Sequence, residues 1–133
     1  MRTTGRTRTV AARATSDVRL KRANPPVVVL IGPGTSGAGE AVAAAFVGRA
    51  ETRFFGTATA GLGLGVSTVR LRDGAVLEVA AMRLEDRTGR LVGGPLLPDE
   101  VDTGEPARPG YRDPIIETAL DWLRHQSGCR TPQ

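Results

Sequence analysis

Apolar positions first concentrate at Val27-Val28-Val29-Leu30-Ile31, five in a row between Pro25-Pro26 and Gly32. A short β-branched run that is apolar on both faces predicts a central, parallel strand. A glycine-rich turn follows, Gly32-Pro33-Gly34-Thr35-Ser36-Gly37-Ala38-Gly39. Glu40 through Val47 then has neither Gly nor Pro and places Val42, Ala45 and Phe46 on one face, which predicts a helix ended by Gly48. Phe54-Phe55 and their neighbours suit a second short strand closed by Gly56. From Ser67 to Arg72 polar and apolar residues alternate, and Asp73-Gly74 marks a hairpin whose return strand runs from Ala75 to Leu84. Asp86-Arg87-Thr88-Gly89 makes another turn, and residues 91–112 read as a connector rich in Pro and Gly. Asp113-Pro114 has the pattern of a cap with proline at the first helical position, opening a last helix with Ile116, Ala119, Leu120 and Leu123 on its apolar face and Gly128 as its stop. The predicted order is β-α-β-β-β-α, an α/β arrangement with a hairpin between two helices.

Composition narrows what this arrangement can be. The 133 residues suffice for one small domain or part of a larger one, and with aromatics at 4% the core rests on Val, Leu, Ile and Ala. A lone cysteine, Cys129, excludes an intramolecular disulfide, and a lone histidine, His125, excludes a zinc cluster of the usual Cys/His kind. No cofactor is implied. No apolar run approaches the length of a membrane span, and the Arg- and Thr-rich start has no apolar stretch behind it to read as a secretory signal, so cytoplasmic residence is the default expectation.

The net charge of +4 is unevenly distributed. Residues 1–24 carry seven Arg or Lys against Asp17 alone, an excess of six, which leaves the rest of the chain at −2. Residues 1–24 thus read as a basic, unstructured tail, 25–126 as the folded part and 127–133 as a flexible end. Such a tail can touch nucleic acid or an acidic surface, although it lacks the interleaved aromatics that stack on bases.

The candidate chemistry lies in the first turn. A serine at a sharp strand-to-helix turn is held exposed near helix N-terminal amides, which suits a nucleophile beside an oxyanion site. The same turn can bind phosphate, or simply join a strand to a helix. The P-loop spacing runs from Gly32 to Gly37, but Ala38 and Gly39 stand where Lys and Ser or Thr belong. Gly32-x-Gly34-x-x-Gly37 fits the dinucleotide fingerprint, yet a hairpin follows where that fold needs a parallel strand with an acidic end.

Five further pieces fall in one order: Pro26-Val27-Val28-Val29-Leu30 with Gly34-Thr35-Ser36-Gly37-Ala38-Gly39-Glu40-Ala41; Arg53-Phe54-Phe55-Gly56-Thr57-Ala58-Thr59-Ala60-Gly61-Leu62; Leu71-Arg72-Asp73-Gly74-Ala75-Val76-Leu77; Asp86-Arg87-Thr88-Gly89; and Leu97-Pro98-Asp99-Glu100-Val101. Over Pro25 to Leu123 the chain resembles the second half of the catalytic domain of the carboxy-terminal processing, or tail-specific, protease family of serine peptidases. The resemblance implies a partial ClpP/crotonase-like α/β domain, a serine nucleophile at the helix start and cleavage of peptide bonds in extended or carboxy-terminal segments. It implies Ser36 as nucleophile, Gly37 as an oxyanion amide, Asp99 and Glu100 as acids, and Gly61, Leu62 and Gly63 as a substrate-binding strip.

The departures from the family pattern are equally specific. Family turns read Thr-(Ala or Gly)-Ser-(Ser or Ala)-(Gly or Ala)-Glu, and anchoring on Glu40 puts Gly37, not Ser36, at the nucleophile position. Where many members carry the Lys of a Ser–Lys dyad, this chain has Leu62, and its sole lysine is Lys21. The loop Thr59-Ala60-Gly61-Leu62 is closer to the tricorn-type branch, which uses an earlier His and a later acid. No His precedes Ser36, and His125 reads as a surface residue. The family's earlier half, with part of the oxyanion site, has no counterpart in residues 1–24. Three functions are therefore carried forward: an incomplete serine-type peptidase completed by a separate chain or by self-association, a non-catalytic peptide-binding relative, and a binder of nucleic acid or acidic surfaces through the basic tail.

Overall fold

The computed structural model describes residues 20, 21, 23–63, 65–82, 84–102, 104 and 113–127. The basic tail, apart from a few residues at its end, and the chain end that includes Gly128 and Cys129 lie outside them.

The β-branched run forms β1 (Val27–Ile31) as expected. It pairs in parallel with β2 (Thr52–Gly56), from Val27 opposite Thr52 to Ile31 opposite Gly56. The helix between them, α1 (Ala38–Ala44), starts two residues earlier and stops sooner than its Ala-rich pattern suggests, the chain passing through a turn to Gly48. Two strands in parallel joined by a helix make a βαβ unit, and this one carries the glycine turn at its first strand-to-helix junction.

Beyond it, β3 (Gly65–Arg70) and β4 (Val76–Met82) form the expected antiparallel hairpin, with Asp73 Oδ1 accepting the Ala75 N–H at its tip. The return strand, expected to be continuous to Leu84, gives way to a separate β5 (Leu84–Glu85). Two corrections apply to the connector read over 91–112. It contains β6 (Leu91–Val92), antiparallel to β5, and β7 (Glu100–Val101), parallel to β2. Strands of two residues leave no periodicity to read, because their pairing depends on partners far along the chain.

The main sheet has the order β1-β2-β7, so β2 is its centre and β1, expected to be central, is an edge among the described residues. The two consecutive phenylalanines of β2 explain its place. Phe54 points to the α1 side, in a cluster with Ile31 and Ala43 bordered by Val29, Phe46, Val47 and Leu96. Phe55, 1% exposed, points to the other side, where the Trp122 ring meets it edge-on at 6.2 Å between centroids. Each such aromatic contributes about 2–3 kcal/mol by burial.

Trp122 belongs to α2 (Pro114–His125), capped as the sequence indicates: Asp113 Oδ1 accepts the Ile115 N–H at 3.1 Å and Pro114 opens the helix. The inward stripe differs from expectation. Ala119 is buried and Ile115, Trp122 and Leu123 are half-buried, whereas Ile116 and Leu120 remain exposed. Trp122 turns the helix because its ring is the largest apolar surface it can place on Phe55.

One glycine is fixed by the sheet. Gly56 has φ 118°, and a Cβ there would sit 2.0 Å from the Ile31 carbonyl oxygen. The close approach lets Thr57 N–H reach Ile31 O at 3.0 Å and aligns the chain after β2 with the turn after β1.

Candidate functional site

The turn after β1 is braced from within. Thr35 N–H donates to Gly32 O at 2.8 Å, and Gly32 N–H donates back to Thr35 Oγ1 at 3.2 Å. Ala60 N–H then donates to Thr35 O at 3.0 Å, joining the turn to the loop that follows β2. A Cβ at Gly32 would lie 3.6 Å from Thr57 Oγ1, an ordinary contact, so Gly32 borders the loop after β2 without crowding it.

Glu40 holds the two loops together. Its side chain is within a residue that is 1% exposed, yet no cation lies against it among the described residues. Its carboxylate accepts from Gly37 N–H at 3.2 Å, Thr59 Oγ1–H at 2.5 Å and Gly61 N–H at 2.7 Å, with the Leu62 backbone also contributing. Thr59 Oγ1 in turn accepts from Leu96 N–H at 2.9 Å, extending the chain of hydrogen bonds to a third segment. Burial pushes the Glu40 carboxyl up, and the donors from Thr59, Gly61, Gly37 and Leu62 more than offset it, so the group settles below its ordinary value. A buried carboxylate without a counter-charge is stable only when its oxygens are filled by donors, as they are here.

The sequence treated Glu40 only as a register anchor and the start of a helix, and missed this role. The available signal was the spacing Gly37-x-x-Glu40, a carboxylate three residues after a helix cap, which returns to the cap's N–H. The partners at Thr59, Gly61 and Leu62 carried no such signal, being some twenty residues away.

Gly37 itself caps α1 with φ 49° and ψ −110°, a backbone shape that L side chains adopt only under strain. A Cβ at Gly37 would meet nothing within 4 Å. The position that the family pattern assigns to the nucleophile therefore has the bent backbone of a sharp elbow and open space in front of it. Its N–H, expected to face a developing oxyanion, is donated to Glu40. Ser36 is exposed, and it makes no side-chain hydrogen bond to the described residues; its carbonyl accepts from Gly39 N–H at 2.9 Å.

The other expected residues are spread around this centre. Gly61 packs against the Pro95 ring, Gly63 lies beside the Glu40 side chain and Leu84, and Leu62 is exposed. Asp99 Oδ2 accepts from Phe54 N–H at 2.8 Å, and Glu100 pairs with Arg53 across β7 and β2. Both acids hold the edge of the sheet, and neither is hydrogen-bonded to the turn. His125, exposed on α2, has Nδ1 within 2.8 Å of Asp121 O. Among the described residues no group of three or more His, Cys, Asp or Glu is placed to hold a metal ion, and no helix is long and apolar enough to cross a membrane.

On the α2 side of the same turn lies an open cleft of about 420 Å³. Among the described residues it is lined by the apolar Leu30, Ile31, Ile115 and Ile116 and the polar Thr35, Thr57, Asp102 and Asp113. It sits beyond the carboxyl ends of β1 and β2, where open parallel sheets receive ligands.

Comparison with known proteins agrees with this arrangement. Residues 1–101 match the peptidase family S41 profile. The nisin-resistance protein of Lactococcus lactis subsp. lactis is 29% identical over 109 residues, which is 81% of this chain and 30% of that protein. A solved lipoprotein structure from Streptococcus agalactiae superposes with a TM-score of 0.58 at 27% identity, over 74% of this chain and 31% of that one. A protein from Parabacteroides merdae ATCC 43184, presumed to be a peptidase, does so with a TM-score of 0.61 at 28% identity, over 81% and 34%. The chain thus spans about a third of the length of these relatives.

Proposed function

The chain belongs to peptidase family S41, the carboxy-terminal processing peptidases, and from that premise we propose that it is a peptide-binding segment of a ClpP/crotonase-like domain whose elbow has lost its nucleophile. The observation that carries this reading is Gly37: the strained backbone and the open space in front of it are kept, and no side chain is there to react. Nucleophilic catalysis requires a hydroxyl and a base within hydrogen-bond reach of each other. Ser36 makes no side-chain hydrogen bond to the described residues, Lys21 and His125 are exposed, and His125 is engaged with its own helix. What the turn retains is a cleft beyond the carboxyl ends of β1 and β2, with room for part of an extended peptide.

A second reading has its own support. Ser36 is exposed next to the elbow with its hydroxyl uncommitted among the described residues, so a serine-type peptidase using Ser36, with a base supplied by another chain or segment, also fits the geometry. Two measurements on the full chain separate the readings. Peptide binding, followed by anisotropy of labelled extended peptides, is expected to survive Ser36→Ala, and a fluorophosphonate probe is expected to leave the protein unlabelled. Labelling that disappears in Ser36→Ala would instead establish the serine-type reading. Failure to bind any peptide would remove the first.

A further inference from the structure

We propose that Glu40 is a positioning residue for the cleft: it fixes the two threonines that line it, Thr35 and Thr57, and so sets how tightly a peptide is held. This rests on the peptide-binding reading above and names the group that keeps that site in shape. Glu40 is buried and is not itself among the residues lining the cleft, so it acts through the backbone. The loop after β2 is laid along the turn after β1 by hydrogen bonds in succession. Thr57 N–H donates to Ile31 O at 3.0 Å, Thr59 Oγ1–H to Glu40 Oε1 at 2.5 Å, Ala60 N–H to Thr35 O at 3.0 Å and Gly61 N–H to Glu40 Oε1 at 2.7 Å. A further bond, from Gly37 N–H to Glu40 Oε2 at 3.2 Å, ties the elbow to the same carboxylate. Ala60, which holds Thr35, thus lies between the two loop residues that Glu40 holds. Thr35 stands two positions before Gly37, and Thr57 two before Thr59, so each cleft threonine is a short reach of chain from a group fixed on Glu40.

The two carboxylate oxygens divide this work. Oε1 serves the loop, at Thr59 and Gly61, and Oε2 serves the elbow, at Gly37. A glutamine at position 40 can keep its carbonyl oxygen toward Thr59 and Gly61. Its amide nitrogen then stands in place of Oε2 and sets a donor against the Gly37 N–H. Gly37 has φ 49° and ψ −110°, a shape that the surrounding bonds must impose, and loss of the acceptor releases it. The turn then stays tied to the loop through Thr35 while its Gly37 end is freed. A site whose lining is set by buried supporting bonds loses affinity when they slacken, because binding must then order the lining as well.

The experiment compares the full chain with Glu40→Gln, and with Asp86→Ala as a control that removes a second buried acid, one held by its own turn and absent from the cleft lining. Affinity for labelled extended peptides is read by anisotropy, and the Gly37 and Gly61 amide proton shifts by heteronuclear NMR, under conditions where circular dichroism shows each variant folded. In Glu40→Gln the Gly37 amide is expected to move upfield while that of Gly61 stays, and peptide affinity is expected to fall about five-fold or more. Asp86→Ala should bind peptide as the original chain does. Glu40→Asp, which keeps the charge but is a methylene too short to reach both segments, is the second variant and should also weaken binding. Unchanged affinity in Glu40→Gln with a displaced Gly37 amide overturns this inference and leaves peptide binding standing. An equal fall in Asp86→Ala overturns it too, since general loosening would then be the cause, and so does a Gly37 amide that does not move. Absence of peptide binding by the unaltered chain overturns both.

Discussion

Two carboxylate neighbourhoods flank the turn after β1, and they are built on opposite plans. At Glu40 each acceptor direction is met by Gly37, Thr59, Gly61 or Leu62, the group is buried, and the result is a rigid joint between two loops. At Asp102 and Asp113, which line the open cleft, Oδ1 of each accepts a single backbone N–H and both residues are half-buried. A buried carboxylate saturated by internal donors carries much of the local architecture, and a half-buried one that serves a single backbone donor carries less.

Removing the saturated group tests the contrast most severely. Glu40→Ala leaves the Gly37 and Gly61 N–H groups and the Thr59 hydroxyl facing an empty space, and we expect a loss of about 3 kcal/mol or more in chemical denaturation. Asp102→Asn should change stability by less than about 0.5 kcal/mol in the same assay. If the two losses proved similar, the division between joint and cleft would be wrong.

Acid titration sharpens the comparison at intermediate size. Glu40 lies below its ordinary 4.5, and Asp86, held mainly by the Thr88 hydroxyl and then by the Arg90 and Thr88 amides against the cost of burial, lies below its ordinary 3.8. A group whose folded pKa is depressed stabilises the fold fully above its unfolded value, and that contribution is lost as pH falls through the folded one. The midpoint of thermal unfolding should therefore be level from neutrality down to about pH 5 and fall steadily below pH 4. Glu40→Gln should start lower and decline less over the acid range. An unchanged acid limb in that variant would show that Glu40 does not carry it.

A small effect also belongs to a third arrangement, the Arg53–Glu100 pair, whose side chains are 37% and 43% exposed. Water and salt screen such a pair, so Glu100→Gln is expected to cost no more than about 1 kcal/mol, and less at high salt. A loss as large as that of Glu40→Ala would mean that Glu100 has a role beyond the sheet edge.

How much of this could be read from the sequence depended on the range of the interaction. β1 and the cap of α2 were legible because Val27–Ile31 and Asp113-Pro114 act on their own neighbours. The hairpin at Asp73-Gly74 was legible for the same reason. β7 was not, because Glu100 and Val101 are strand only by virtue of Phe55 and Gly56, some 45 residues earlier. Nor was the inward face of α2, where spacing alone favoured Ile116 and Leu120 and the Phe55 ring recruited Trp122 instead. The family was legible from motifs in series, while the joint at Glu40 was hidden, since its donors are mostly backbone N–H groups that any residue would supply.

The glycine at position 37 has a consequence for how such a protein ages under mutation. A serine in that bend would be held there against its own preference by about 1–3 kcal/mol, a tension that glycine releases. On the reading proposed for this elbow, stability and reactivity would pull in opposite directions at this one residue, and the form with glycine would be the relaxed one. A lineage no longer selected for cleavage would drift toward it readily, whereas rearming the bend would require reintroducing that tension into a fold with a small core.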